Sequence, residues 1–482
     1  MAVEWSTSAP DLLVSLDRAA PTSLRTQLEG RLRDAVRTGR LAPGERLPSS
    51  RALAQHLAIS RGLVQECFEQ LVAEGYLVSR AGSGTRVADL AAEQAPSRPP
   101  SPNSRQSSAA APTPPTPAET SALVADFQSG VPDLGLAPRE DWAWAMREAC
   151  RTAPNTAFDY GDPRGDPHLR DVLAAYLRRV RAADAHSSQI LVCAGFQQGL
   201  ALVLRSLALQ GRTRIAVEDP GSIGTITALA HTAGGDCVPV GVDDDGLDVA
   251  ALEASGAQVV VVTPAHQWPT GVVLSADRRH ELVAWARARD GMIIEDDYDA
   301  EFRYDREPVG SLQGLAPERV VSLGTVSKSL APTLRLGWAV LPTRLIEPVG
   351  AAKQTADRGA PGLDQLALAG LLESGRYDRH LRRMRAVYSR RRDTLVAALA
   401  EHAPQVALTG LAAGFHAIVH LPAGADEDIV VTRARRVGVG LYGISAYRSA
   451  PQPGRPQLVL GFGNTADRAI EEGIRIVAPV LR

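Results

Sequence analysis

The stretch Val321-Ser-Leu-Gly-Thr-Val-Ser-Lys328-Ser-Leu-Ala-Pro-Thr-Leu-Arg335-Leu-Gly337 holds one of only two lysines among 482 residues, the other being Lys353. Every remaining Lys-or-Arg position is arginine. A desolvated lysine can lose its proton, and an arginine cannot. A neutral amine forms a Schiff base with an aldehyde, and pyridoxal 5′-phosphate (PLP) enzymes use a lysine in this way. Thr325 and Ser327 place hydroxyls beside Lys328, and Arg335 adds a phosphate-binding fork. A surface lysine in a loop is the plain alternative for so short a motif, so the flanking chain must decide.

Outward from this stretch, apolar strand-like runs alternate with amphipathic helices. Strands are expected at 189–193, 214–217, 237–240, 259–263, 292–294, 320–323 and 337–341, and helices at 197–209, 223–232 and 276–289. This alternation predicts an α/β domain with a mostly parallel sheet covered on both faces. Ligands of such sheets lie beyond the strands' carboxyl ends, and four candidate groups fall there. Ala194-Gly195-Phe196-Gln197 opens a helix after a strand, so its N–H groups can cradle a phosphate. Glu295-Asp296-Asp297-Tyr298 offers a carboxylate to hold a pyridine nitrogen protonated. The loop from Pro264 to Gly271 carries His266, within reach of a phenolic oxygen, and the fourth group is Lys328 itself. Each has a bland reading, but the four together in this order favour a PLP site.

The first ninety residues are of another kind. Leu24, Leu28, Leu32 and Val36 recur at helical spacing, and Gly39 and Pro43-Gly44 end that helix. A short helix follows with Ser49 or Ser50 as its cap. After a turn at Ala58-Ile59, Ser60 caps a longer one. Short helix, tight turn and longer helix make a helix-turn-helix. Residues 76–80, 81–84 and 85–87 then predict a strand, a turn and a strand, which together form a wing. Residues 22–87 carry ten Arg against six Asp plus Glu, a balance of 10 − 6 = +4 in a chain of net charge −2. Arginines at a helix start suit phosphate and guanine recognition. A helical packing module with ordinary surface arginines would explain the charge but not the order of elements.

Pro43-Gly-Glu-Arg-Leu-Pro-Ser-Ser-Arg51, Ile59-Ser-Arg61, Leu71-Val-Ala-Glu-Gly-Tyr-Leu77 and Gly82-Ser83-Gly84 resemble the GntR family of bacterial repressors. The resemblance implies that Ser49, Arg51, Ser60, Arg61, Gly62 and Gln65 face double-stranded operator DNA. Gly82, Ser83 and Gly84 would form a wing tip in the minor groove. Residues 125–482 resemble fold-type I aminotransferases through Tyr160-Gly-Asp-Pro-Arg-Gly165, Val262-Thr-Pro-Ala-His-Gln-Trp-Pro-Thr-Gly271, Glu295-Asp-Asp-Tyr-Asp-Ala-Glu-Phe-Arg-Tyr304 and Ser327-Lys-Ser329. The pair of modules resembles the MocR subfamily of transcriptional regulators. The implied fold is multidomain: an N-terminal α+β winged helix-turn-helix (20–88), then an α/β PLP-dependent aminotransferase-like domain (125–482) with a smaller C-terminal α/β subdomain. By the same resemblance Lys328 is the Schiff-base lysine. Asp296, with Asp297 as fallback, meets the ring nitrogen, and Tyr298 meets the phenolic oxygen. Thr325, Ser327, Arg335 and the Gly195–Gln197 loop bind phosphate. Tyr160 reaches into a partner subunit's site, which implies a homodimer.

Two positions depart from the family pattern. Ser222 stands where relatives carry a ring-stacking aromatic, leaving Phe196 as one substitute. Val459 stands where amino-acid-using relatives carry a carboxylate-binding arginine. These departures favour a regulator sensing PLP or an amine over a turnover aminotransferase with a DNA-binding appendage.

Between the modules, residues 91–120 are rich in Pro, Ser and Ala, which predicts a flexible linker of about thirty residues with a tethered rather than docked head. Hydrophobic content of 45% and charged content of 22% are ordinary for a globular chain. No run approaches the roughly 20 apolar residues of a membrane span. Cys67, Cys150, Cys193 and Cys237 have no metal-ligand spacing, and the cysteine usage and lack of a signal segment predict a cytoplasmic protein.

Overall fold

In the head, each helix starts where a hydroxyl can satisfy a free N–H. Ser23 Oγ accepts from Thr26 N (3.1 Å) at α1 (Leu24–Arg37), and Ser49 Oγ from Ala52 N (3.2 Å) at α2 (Ser50–Leu57). Ser60 Oγ accepts from Leu63 N (3.2 Å) at α3 (Arg61–Ala73). Ala58 closes α2 in the left-handed conformation, φ 51°. Strands β1 (Leu77–Arg80) and β2 (Gly84–Val87) pair antiparallel, Leu77 opposite Val87, as the wing. This computed structural model describes residues 16–18, 20, 22–80, 84–88, 123–299, 301–304, 310–450 and 456–481. The expected wing-tip residues Gly82 and Ser83, the 91–120 linker and Arg455, the arginine near Val459 in the sequence, lie outside them.

The larger domain is built on eight strands. After the short β3 (Ala125–Asp126) come β4 (Ile190–Cys193), β5 (Arg214–Asp219), β6 (Asp236–Asp243), β7 (Gly246–Leu247), β8 (Val259–Val262), β9 (Met292–Asp297), β10 (Val320–Thr325) and β11 (Gly337–Val340). Their order is β4-β11-β10-β9-β8-β5-β6-β7. The block β10-β9-β8-β5-β6 is parallel, and β11 runs antiparallel between β10 and β4. The ends of β4, β5, β8, β9 and β10 therefore all point to one edge. Their side chains, such as Val260, Ile293 and Val321, are buried, as a sheet covered on both faces requires. Strand β9 runs further than the sequence predicts and takes Glu295, Asp296 and Asp297 into the sheet itself. A smaller antiparallel sheet, β12 (Ala407–Thr409), β13 (His416–His420) and β14 (Gln457–Gly461), packs with the helices Arg376–His402 and Asp467–Val477.

The head is docked, contrary to the tethered arrangement expected from the linker. Tyr76 donates its hydroxyl to the Gly314 carbonyl (3.0 Å), and Arg37 Nε donates to the same oxygen (3.2 Å). One apolar cluster runs from Leu28, Leu32 and Tyr76 into Leu312, Leu315 and Ala316. Linker composition reports chain stiffness and carries no information about the two surfaces it joins.

Gly324 leads to the Lys328 stretch, and a Cβ there would overlap the Trp338 indole opposite it on β11. Gly324→Ala is expected to cost about 1–3 kcal/mol, the usual penalty for overpacking, read as a fall in denaturation midpoint.

Candidate cofactor site

Three carboxylates end β9, and the alternation of a strand sends them to opposite faces. Glu295 accepts from Leu312 N (2.9 Å) and Gln313 N (3.2 Å). Burial still pushes its carboxyl up to about 7. Asp297 is gripped on both oxygens by the buried Arg181, at 2.6 and 2.9 Å. Asp296 faces the other way, and its Oδ1 is buried with no hydrogen-bond partner. Burial, then the charge of Asp297, holds its pKa well above the ordinary range, with Lys328 opposing. Of the two aspartates considered for a ring nitrogen, one is saturated and the other has a vacant acceptor.

Lys328 follows β10 at the same edge and donates to the Gly130 carbonyl. Burial lowers its pKa, against the raising effect of Asp296 and Asp299. Lys353 differs: its buried ammonium is paired with Asp357 (2.6 Å) and donates to Gln198 Oε1 (3.0 Å). Lys353 is thus a structural ion-pair partner, whereas Lys328 is a desolvated amine on a neutral acceptor.

The predicted phosphate ligands converge. Gly195, φ 81°, precedes the helix Phe196–Ala208, which has no side-chain cap. Arg335, in the left-handed conformation at φ 50°, lays its guanidinium over Gly195 and donates to Ala194 O (2.7 Å). A Cβ at Gly195 would make ordinary contact, 3.4 Å, with both Arg335 terminal nitrogens, so it is the positive φ that favours glycine here. Thr325 and Ser327 share a hydroxyl contact of 2.9 Å, and Gly337, opposite Thr325 on β11, lies against Gly195. Gln197 is exposed, and the neighbouring Gln198 closes the loop by accepting from Ala194 N (2.8 Å).

His266 and Tyr298, both expected at a phenolic oxygen, are bonded to each other's surroundings. Tyr298 donates its hydroxyl to the His266 carbonyl (3.0 Å). His266 Nδ1 carries its proton to Asp299 Oδ2 (2.8 Å), which leaves Nε2 buried without a partner. The ring of His416 lies tilted at 41° to that of His266, with centroids 4.6 Å apart, and burial with His266 nearby lowers its pKa well below the usual value. Sequence reasoning missed Asp299 and His416, because only folding brings them together.

A small cavity beside Asp296 is lined by Glu218, Ser222, Thr263 and Trp268. The aromatic side chain on it is Trp268, set edge-on to Tyr298, His416 and Tyr447. Phe196 instead packs on the apolar core. Trp268 stands in the Pro264–Gly271 motif, and its ring was the signal available. Burial raises Glu218 to about 7, against hydrogen bonds from Thr263 and Gln267. Val459 is fully buried with Ile418 and Ile444, and Tyr447 packs on them. That wall is apolar. Tyr160 is 71% exposed, with Arg358 stacked on its ring at 4.3 Å, and this chain does not bring it to Lys328.

On the head, Ser49 and Ser60 are the helix caps, and Arg51, Arg61, Gly62 and Gln65 are exposed on α2 and the start of α3. Gly84, φ 80°, opens β2 opposite Arg80, at the turn end of the wing, and packs against the Arg46 guanidinium.

Residues 124–449 match the family Aminotransferase class I and II, and residues 24–87 match Bacterial regulatory proteins, gntR family. The chain is similar to the HTH-type pyridoxine biosynthesis transcriptional regulator PdxR of Corynebacterium glutamicum, 34% identical over 455 residues, covering 94% of this chain and 95% of that one. It is also similar to the probable rhizopine catabolism regulatory protein MocR of Rhizobium meliloti, 32% identical over 471 residues, covering 96% and 94%. Among solved structures, the multiple substrate aminotransferase of Thermococcus profundus superposes with a TM-score of 0.68 at 28% identity, covering 75% of this chain and 91% of that one.

The contrast between the lysines is measurable. Asp357→Ala strands the Lys353 charge and should destabilise the fold by on the order of 2 kcal/mol, seen in the unfolding midpoint. Any visible absorbance acquired with PLP should be unchanged.

Proposed function

Because the chain belongs to the aminotransferase class I and II family and, with its gntR-type head, to the MocR-type transcriptional regulators, we propose that it binds operator DNA through the head and senses PLP in the larger domain. The observation that carries this reading is the buried Asp296 oxygen without a partner, on the same strand edge as a desolvated lysine and an arginine-glycine cradle. The residues present fit the cofactor. Asp296 would accept the protonated ring nitrogen, and Lys328 would take the aldehyde. Arg335, the Gly195–Gln197 turn, Thr325 and Ser327 would hold the phosphate. Trp268 would flank the ring where Ser222 supplies no aromatic. Tyr298 and His266 would stand at the phenolic oxygen, with Asp299 fixing the imidazole tautomer. When bound, PLP supplies an aldehyde for an amine and a ring that draws electrons from it.

The anchoring residues for the cofactor are on hand in this reading, but among the described residues the wall at Val459 is made of Ile418, Ile444 and Tyr447. A carboxylate against it would be buried unpaired, which costs several kcal/mol. The effector in this reading is PLP itself or an amine without an α-carboxylate, and turnover of amino acids is secondary. The pyridoxine biosynthesis role named for the Corynebacterium relative agrees with control of vitamin B6 supply. We place the protein in the cytoplasm as a homodimer in which Tyr160 serves the partner's site. Among the described residues no helix is long and apolar enough to cross a membrane.

Two outcomes test the proposal. The PLP-loaded protein should absorb visibly. Lys328→Ala should abolish that band and Lys353→Met should keep it, and the reverse pattern would exclude Lys328. DNA binding to the region upstream of the chain's own gene should shift with PLP alone. A shift that needs an added amino acid would overturn the B6 reading.

For the head, Arg61→Ala should weaken DNA binding and lower the salt slope by about one without touching the absorbance. Unchanged affinity and slope would place the DNA face elsewhere.

A further inference from the structure

The last turn of α3 and the corner after it press on the aminotransferase-like domain. A Cβ at Gly75 would stand 2.9 Å from His280 Nε2 and 3.5 Å from Leu315 Cδ1, and His280 donates to the Gly75 carbonyl. Tyr76, only 3% exposed, donates to Gly314 O at 3.0 Å. Arg37 donates to that oxygen and to the Ala182 carbonyl, and its Nη2 also donates to the Tyr76 hydroxyl at 2.9 Å. The head therefore sits on His280, in the helix Ala276–Ala288, and on two adjoining pieces of chain, residues 310–316 and the turn at 181–184.

Both pieces are fastened to the end of β9. Glu295 holds Leu312 N and Gln313 N, the two residues before Gly314. Arg181, the residue before Ala182, grips Asp297. The pieces also hold each other: Ser311 N donates to Arg181 O (2.8 Å), Asp184 N to Gln313 Oε1 (2.8 Å) and Gln313 Nε2 to Asp184 O (2.8 Å). The carboxylates on either side of Asp296 are thus one residue removed from the carbonyls that seat the head.

The DNA-facing end of α3 is free. Arg61, Gly62 and Gln65 are exposed, and thirteen residues at 1.5 Å rise put about 20 Å between that end and the docked one. Seating and DNA reading do not compete for surface.

We infer that the head reads DNA while seated, and that the seat formed by 310–316 and 181–184 transmits occupancy at Asp296 to the head's position through Glu295 and Asp297. This rests on the reading that PLP binds at Asp296. A partner for its orphan oxygen fixes the β9 end from one face, and any shift of backbone 295–297 acts on both carboxylates that hold the seat. Coupled sites influence each other by equal factors, so DNA must alter PLP affinity as much as PLP alters DNA affinity.

The test uses the full chain, apo and PLP-loaded, on the DNA fragment upstream of its own gene and on one half-site defined by footprinting. In the wild type the apo-to-holo ratio of fragment affinities is expected to be on the order of 5–150-fold, the usual range of such coupling. Tyr76→Phe, which removes one hydroxyl, and Gln313→Ala, which leaves the head's sequence intact, should each bring that ratio several-fold toward one, while half-site affinity stays within about twofold. The effect of DNA on PLP affinity should shrink by the same factor. A wild-type ratio retained in both variants would overturn the seat as conduit and leave PLP sensing standing. A ratio of one in the wild type would overturn both.

Discussion

Three consecutive carboxylates at the buried end of one strand form the constraint around which this molecule is arranged. Carboxylates are costly to bury unless paired or hydrogen-bonded, and Glu295, Asp296 and Asp297 meet that cost in three ways. Glu295 draws two backbone N–H groups to itself. Asp297 draws the guanidinium of Arg181, a residue 2% exposed. Asp296 has neither on its Oδ1. A strand points successive side chains to opposite faces. The two satisfied acids therefore organise the outer face of the sheet end, where the head docks, and the unsatisfied one organises the inner face, where Lys328 lies.

The inner face is less evenly balanced. Lys328 is desolvated, which favours its neutral form, while Asp296 and Asp299 pull the other way. Asp296 is itself held toward protonation by burial. Each charge partly offsets the other through space, while the amine gives its hydrogen bond to the Gly130 carbonyl. Lys353 shows what the same side chain looks like when structure alone is served: fully buried, with a carboxylate one helical turn away. The chain uses lysine twice, once where an ion pair fits and once where no anion is in hydrogen-bond contact with it.

Much of this could be read from the sequence, and the division is physical. Local signals held. The hydroxyls of Ser49 and Ser60 do cap helices, and Gly195 and Lys328 follow strands as the alternation of elements predicts, while β9 runs on through Asp296. What was not legible depends on contacts between distant segments. Asp296 could not be separated from Asp297, because the difference lies in Arg181, 116 positions away. Asp299 and His266 meet across 33 positions, and Lys328 meets Gly130 across 198. The docked head was hidden for the same reason: Tyr76 looks like the start of a wing strand until Gly314 is beside it.

The shape of the inner face also decides what kind of ligand could move the head. A ligand shifts an equilibrium only by its differential affinity for the two states, so affinity alone is not enough, and contact with the end of β9 is needed. A molecule bound solely between Trp268, Tyr447 and the wall of Val459, Ile418 and Ile444 would touch the loop after β8 and the apolar surface of the smaller sheet. It would have no polar hold on Asp296. A ring whose nitrogen meets Asp296 acts directly on the backbone that Glu295 and Asp297 tie to the seat. Differences of one hydrogen bond to a charged group, about 1.5–3 kcal/mol, correspond to roughly tenfold or more in an equilibrium. That is enough to separate an effector that completes Asp296 from a bystander that merely fills the cavity, and it makes the ring nitrogen, more than the phosphate or the aldehyde, the part of the ligand that the head can feel.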